Sequence, residues 1–271
     1  MRCTLTSGSW NAFAGEECLA HPIRALLHQD PFTHHAFSKP SGYSGDARLI
    51  DYMYGCADPP AETTDVGRSI FTHTTQGPAG RSVVARRDIL SKLVDAIAAR
   101  IEKPRILSVA CGHLREAESC RSVRDGMLGE WIGIDQDPHS VALVNGNHRH
   151  NCVRAEVGSV RALLTGKHDL GKFDLIYAAG LYDYLEDRTA TRLTTRLFEM
   201  LRPGGSVLIA NFLPTLRDIG YMESFMAWHL IYRDERQIRN LIGGIDSAAV
   251  ARTETFFDEP GNIVFLQVDK P

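Results

Sequence analysis

The stretch FDLIYAAGLYDYLEDR (Phe173–Arg188), followed after a helical segment by LRPGGSVLIANF (Leu201–Phe212), carries the most telling pattern in the chain. Phe173–Ala178 is a short apolar run closing in small residues, and Thr189–Leu201 repeats at helical spacing. The Pro-Gly-Gly that follows predicts a turn, because proline fixes φ and glycine admits positive φ, and it feeds a second apolar run over Ser206–Phe212. Strand, helix, turn and strand in that order form a βαβ unit, which requires a parallel sheet.

Working outward, further strands are predicted at Arg105–Ala110, Glu130–Asp135 and Asn151–Val157 on the amino side, and at Arg252–Phe257 and Ile263–Val268 on the carboxyl side. The last two are joined by Asp-Glu-Pro-Gly-Asn, a hairpin turn. The expectation is an α/β, Rossmann-like seven-stranded sheet, mostly parallel, with an antiparallel C-terminal hairpin. The regular pattern begins near Arg81, where Val84, Ile89, Leu93, Val94 and Ile97 fall on one helical face. Residues before it are irregular, yet Trp10, Phe13, Phe32, Phe37, Tyr43, Tyr52 and Tyr54 are too many aromatics for a disordered tail. Residues 1–80 are therefore read as a largely helical N-terminal cap or lid, and 81–271 as the Rossmann-like domain.

With 44% hydrophobic and 23% charged residues, the chain can bury one sizeable core with a smaller appendage. A net charge of -3 offers no basic field for phosphate backbones or anionic lipid, so neither nucleic acid nor membrane is an expected partner. No apolar run approaches the roughly 20 residues that span a bilayer, and the start lacks a charged-then-apolar signal pattern. The six cysteines (Cys3, Cys18, Cys56, Cys111, Cys120, Cys152) are scattered, which suits thiols in the reducing cytoplasm. No metal is expected: His34-His35 and Asn147–His150 lack cysteine or carboxylate companions at ligand spacing.

The first strand runs into a glycine turn and a helix as ILSVACGHLREAE (Ile106–Glu118), which brings backbone N–H groups to the carboxyl edge of the sheet. Only Gly112 remains of the G-x-G-x-x-G pattern, with Ala110 and Leu114 where glycines are expected. In WIGIDQDPHSV (Trp131–Val141) the second strand ends at Asp135, the position from which a carboxylate accepts ribose hydroxyls, while Asp137 is the better helix cap ahead of Pro138. Arg86-Arg87 reads as a charged helix face from which one guanidinium could reach a carboxylate.

From Arg105 to Val268 the chain resembles the class I S-adenosylmethionine-dependent methyltransferases, most specifically in FDLI and LRPGG. The resemblance implies S-adenosyl-L-methionine as cofactor. By position it implies that Ala110, Cys111 and Gly112 line the methionine and ribose, Asp135 the ribose hydroxyls, Gln136 and Ser159 the adenine, and Ala179 and Gly180 the reactive end. Ser108 stands where that family commonly has an acid, which leaves Glu116 to meet the methionine ammonium.

KPSGYSGDARLIDYMY (Lys39–Tyr54), ACGHLREAE, AAGLYDYL and MAWHLIYRDERQI (Met226–Ile238) are similar to the branch that includes the 3-hydroxypalmitate methyl ester biosynthesis methyltransferases. The resemblance implies that the N-terminal segment belongs to the enzyme. Tyr43, in a Pro- and Gly-rich loop, is read as lying against the ligand, with Asp46 capping the next helix. The acceptor pocket is assigned to Tyr182, Phe225, Trp228 and Tyr232. A carboxylate acceptor needs no base, whereas a hydroxyl would call on His229 or Asp183. The expected reaction is O-methylation of a carboxylate or hydroxyl on a small-molecule acceptor, with N- or C-methylation and a non-catalytic cofactor-binding role as alternatives. Homodimerisation is compatible with this composition. If residues before about Thr75 belong to the enzyme, deleting them abolishes turnover and solubility; a soluble, fully active truncation would overturn that assignment.

Overall fold

In the computed structural model, which describes residues 6–167 and 170–271, seven strands form one sheet in the order β3-β2-β1-β4-β5-β7-β6. Cys3 lies outside the described residues. The strands are β1 (Arg105–Val109), β2 (Glu130–Asp135), β3 (Val153–Val157), β4 (Phe173–Ala178), β5 (Leu201–Phe212), β6 (Arg252–Phe257) and β7 (Ile263–Asp269). The first five pair in parallel, and β7 runs antiparallel to both β5 and β6. Every residue of β4 is buried, as a strand covered on both faces demands. At the C-terminal hairpin the Asp258 carboxylate accepts the N–H groups of Asn262 (2.8 Å) and Ile263 (2.7 Å).

Two details differ from the sequence pattern. β5 already begins at Leu201, paired with Phe173, and the register shifts before Ser206 pairs with Leu175, so Pro-Gly-Gly is an irregularity within the strand rather than a turn before it. Gly205 permits this: a Cβ there would lie 3.0–3.1 Å from the carbonyls of Arg202, Phe173 and Asp174. The helix before β1 spans Pro78–Ala98, and its buried stripe is Val83, Leu90, Val94 and Ile97, while Val84, Ile89 and Leu93 are only half-buried.

The chain divides into two compact units, Met1–Val84 with Thr215–Leu230, and Ala85–Pro214 with Ile231–Pro271. The N-terminal unit is thus discontinuous, which the sequence pattern does not signal. It is largely helical, as expected, and side chains cap the helices Pro31–Ser38, Ala47–Tyr54 and Asp65–Thr75. Asp30 accepts the N–H groups of Phe32 and Thr33, Asp46 that of Leu49, and Thr64 that of Gly67. Asp30, fully buried, also takes the hydroxyls of Thr33 (2.6 Å) and Thr74 (2.9 Å), and Thr33 in turn bonds the Tyr221 hydroxyl (2.7 Å). The inserted helix, Ile219–Phe225, is held further by Trp10 Nε1 donating to Glu223 (2.5 Å).

Ile219–Ile242 is not one amphipathic helix. Ala227 adopts positive φ, and regular helix resumes only at Glu235–Arg239. The segment between enters the sheet unit through Arg233, which is 1% exposed. Its guanidinium donates to Tyr182 O (2.7 Å), Asn211 Oδ1 (2.7 Å) and Asp187 Oδ1 (2.8 Å), and its backbone N–H to Phe212 O (3.0 Å). Arg233→Met would orphan the buried Tyr182 carbonyl and Asn211 Oδ1 and is expected to lower stability by about 3 kcal/mol. Urea unfolding followed by tryptophan fluorescence checks this, and an unchanged midpoint would refute it.

Candidate functional site

At the carboxyl edge of the sheet, the loop after β1 takes positive φ at three alternate residues, Ala110 (55°), Gly112 (52°) and Leu114 (49°). The glycine pattern is altered but the backbone that glycines normally serve is retained. Asp135, 6% exposed at the end of β2, fastens this loop: one carboxylate oxygen accepts Gly112 N–H (2.8 Å) and the other Asp137 N–H (2.9 Å). Its carbonyl receives Gly158 N–H (2.8 Å), so the ends of β1, β2 and β3 meet at one residue. Asp137 caps the Pro138–Asn147 helix through His139 and Ser140 N–H, and Ser159 caps Val160–Leu164 through Ala162 N–H. Gln136 stands exposed beside them. Cys111 packs against β2 so closely that a Cβ on Gly133 would fall 2.6 Å from its Sγ. Burial, then the nearby Asp135 and Glu116 carboxylates, push this thiol well up and keep it from nucleophilic chemistry.

On the β1–β4 side, Ser108 is the register partner of Tyr177, whose hydroxyl donates to Glu116 Oε1 (2.5 Å). Glu116, in the first turn of Arg115–Ser119, is buried, and desolvation raises its carboxyl above the ordinary range. The buried cation facing this acid is Arg86. It is 6% exposed, donates from Nη1 to Ala179 O (2.6 Å), and lies 3.7 Å from where a Gly180 Cβ would stand. Among the described residues it forms no ion pair, whereas Arg87 pairs with Asp88. The edge therefore offers a buried guanidinium, a buried carboxyl and a second carboxylate at Asp135.

Residues 106–205 match the family model described as a methyltransferase domain. These residues therefore carry a methyltransferase domain. No curated protein matches the chain significantly. Among solved structures, a possible exported protein from Bordetella parapertussis is similar over 100% of this chain and 98% of its own, with 15% identity and a TM-score of 0.69. Magnesium protoporphyrin IX methyltransferase from Synechocystis with bound S-adenosylhomocysteine is similar over 89% of this chain and 100% of its own, with 12% identity and a TM-score of 0.53. At these identities the likeness is one of fold.

Of the residues singled out in the sequence, the methyltransferase sheet edge gathers Ala110, Cys111, Gly112, Glu116, Asp135, Gln136, Ser159, Ala179 and Gly180 within one unit. Tyr43, Phe225, Trp228 and His229 belong to the N-terminal unit, while Tyr182, Asp183 and Tyr232 belong to the sheet unit. Tyr182 is a core residue rather than a pocket wall: it is fully buried and its hydroxyl bonds Thr194 (2.9 Å). Asp183, 3% exposed, accepts Asn211 Nδ2 and Phe212 N–H, both at 2.8 Å. Burial pushes its carboxyl up to about 6 against those bonds and the attraction of Arg86 and Arg233. It fastens β5 to the residues after β4. His229 is exposed, and Tyr43 is half-buried in the loop before the Asp46-capped helix.

Arg86 and Tyr177 were not selected individually from the sequence. The available signal for Arg86 was its place on the buried stripe between Val83 and Leu90, where a charge needs a partner. Ala110→Gly removes the side chain from a left-handed residue that is itself exposed, so it is expected to stabilise the protein by about 0.5–1 kcal/mol instead of destabilising it as in a helix. A lower melting temperature for that variant would contradict the strained loop.

Proposed function

We propose that this methyltransferase transfers the methyl group of S-adenosylmethionine to an oxygen of a small amphipathic acceptor, preferentially a carboxylate. The observation that carries the cofactor assignment is the buried combination of Arg86 and Glu116 at the end of β1 and β4. A cation and an acid at one strand edge match the zwitterionic end of the cofactor, its carboxylate to Arg86 and its ammonium to Glu116. An ammonium there would oppose the burial that raises the Glu116 carboxyl above its ordinary range. The Asp135 carboxylate has lone pairs beyond the two it gives to Gly112 and Asp137, enough for the ribose hydroxyls. Gln136 and Ser159 border the adenine, and Ala179 and Gly180 the reactive end.

When bound, S-adenosylmethionine supplies a sulfonium methyl for in-line displacement. What remains for the chain is to align the acceptor and exclude water. A carboxylate is ionised at neutral pH, so the reaction needs no base. That agrees with Asp183, whose oxygen is already committed to Asn211 and Phe212. The narrower resemblance through Lys39–Tyr54 and Met226–Ile238 also supports a carboxyl acceptor and an N-terminal unit that belongs to the enzyme. A cytoplasmic reaction fits the cysteines, which form no disulfide among the described residues.

Calorimetric titration with S-adenosylhomocysteine tests the cofactor assignment. Asp135→Ala and Arg86→Gln should each weaken binding by about tenfold or more, a loss of roughly 1.4 kcal/mol or greater. Unchanged affinity in Arg86→Gln would remove the amino-acid end of the cofactor from that residue. With isotopically labelled cofactor and a panel of carboxylic acids, phenols and amines, the expected product is a methyl ester; methylation of amines alone would overturn the oxygen acceptor.

A further inference from the structure

The N-terminal unit contains a cavity of about 960 Å³, at the upper end of the roughly 300–1,000 Å³ range of small-molecule sites. All of its lining residues belong to that unit, and none is among the residues assigned above to the cofactor. Phe32, Met53, Met222, Met226 and Trp228 line it and are all buried. Three are methionines, whose unbranched thioether chains adapt to ligands of irregular shape.

The acidic and basic side chains of the lining are Asp218, Arg81 and His73. Asp218 Oδ2 accepts Ala79 N–H (2.7 Å) in the first turn of the Pro78–Ala98 helix, so its negative charge is matched to the positive helix end. His73 and Arg81 also line the cavity and are exposed. Arg81 donates to Gln76 O (2.8 Å) and forms no ion pair among the described residues; His73 makes no side-chain hydrogen bond among them. An apolar interior bordered by an arginine and a histidine, both within electrostatic reach of the single acid Asp218 and outnumbering it, is complementary to a molecule with an apolar body and one negative head.

We propose that this cavity binds a small amphipathic anion, with its apolar body against the methionines and Trp228 and its head at Arg81 and His73. The cavity includes Trp228, which the sequence assigned to the acceptor pocket, but the binding test does not depend on methyl transfer. Two fluorescent probes of nearly the same apolar framework test it on the full chain: 8-anilinonaphthalene-1-sulfonate, which carries the anion, and N-phenyl-1-naphthylamine, which does not. The sulfonate should bind saturably at one site and at least about fivefold more tightly than the neutral probe. Arg81→Gln should abolish that difference while leaving the neutral probe unchanged. Ile70→Glu, which puts a carboxylate on the half-buried cavity wall, should weaken the sulfonate by about tenfold or more. Unaltered S-adenosylhomocysteine affinity in both variants would show that the rest of the protein is intact. Equal binding of the two probes to the unmodified chain, or sulfonate binding indifferent to Ile70→Glu, would overturn the proposal.

Discussion

Where β1 and β2 end side by side, the Asp135 carboxylate takes N–H bonds from Gly112 and Asp137, and its backbone carbonyl takes one from Gly158. A buried carboxylate must be hydrogen-bonded to persist, and these donors are the groups that a tight strand-to-helix turn leaves unpaired. Each solves the other's problem. The positive φ values at Ala110, Gly112 and Leu114 follow, because the chain has to reverse sharply for Gly112 N–H to reach β2. Glycine would cost nothing there; alanine and leucine are tolerated because the surrounding bonds fix the backbone.

The same economy governs the other buried charges of the sheet unit. Arg233 collects carbonyls that would otherwise be stranded after β4, and Asp183 binds the residues that close β5. Removing either leaves buried polar groups unmet, so both are scaffold. Arg86 and Glu116 differ from them. Arg86 gives one hydrogen bond to Ala179 O, and Glu116 receives one from Tyr177. Two opposite charges with bonding capacity to spare at a strand edge are what a zwitterionic ligand requires.

In the N-terminal unit, hydrogen bonds tie the two stretches of sequence together. Asp30 caps one helix while binding threonines from two, and Thr33 extends the chain of hydrogen bonds to Tyr221 in the 215–230 insertion. Without that insertion, Trp10, Thr33 and Ser44 would each lose a hydrogen-bonding partner. The unit is therefore assembled from two separate stretches of sequence, which explains why the first 80 residues read as irregular when taken alone.

The sequence by itself determined the strands: all seven were legible at one or both ends from apolar runs and turns, since strand burial imposes a pattern on neighbouring residues. It also pointed to Asp135, because a strand end, a turn and an acid coincide there, and Asp137 was legible as the cap of the following helix. What it did not carry was anything that depends on residues far apart in the chain. Tyr182 looked like a pocket residue until Thr194 took its hydroxyl. The discontinuous N-terminal unit, its cavity and the choice of Arg86 over Arg87 were decided only by tertiary structure, because burial and partnership arise between segments and leave no periodic trace within one.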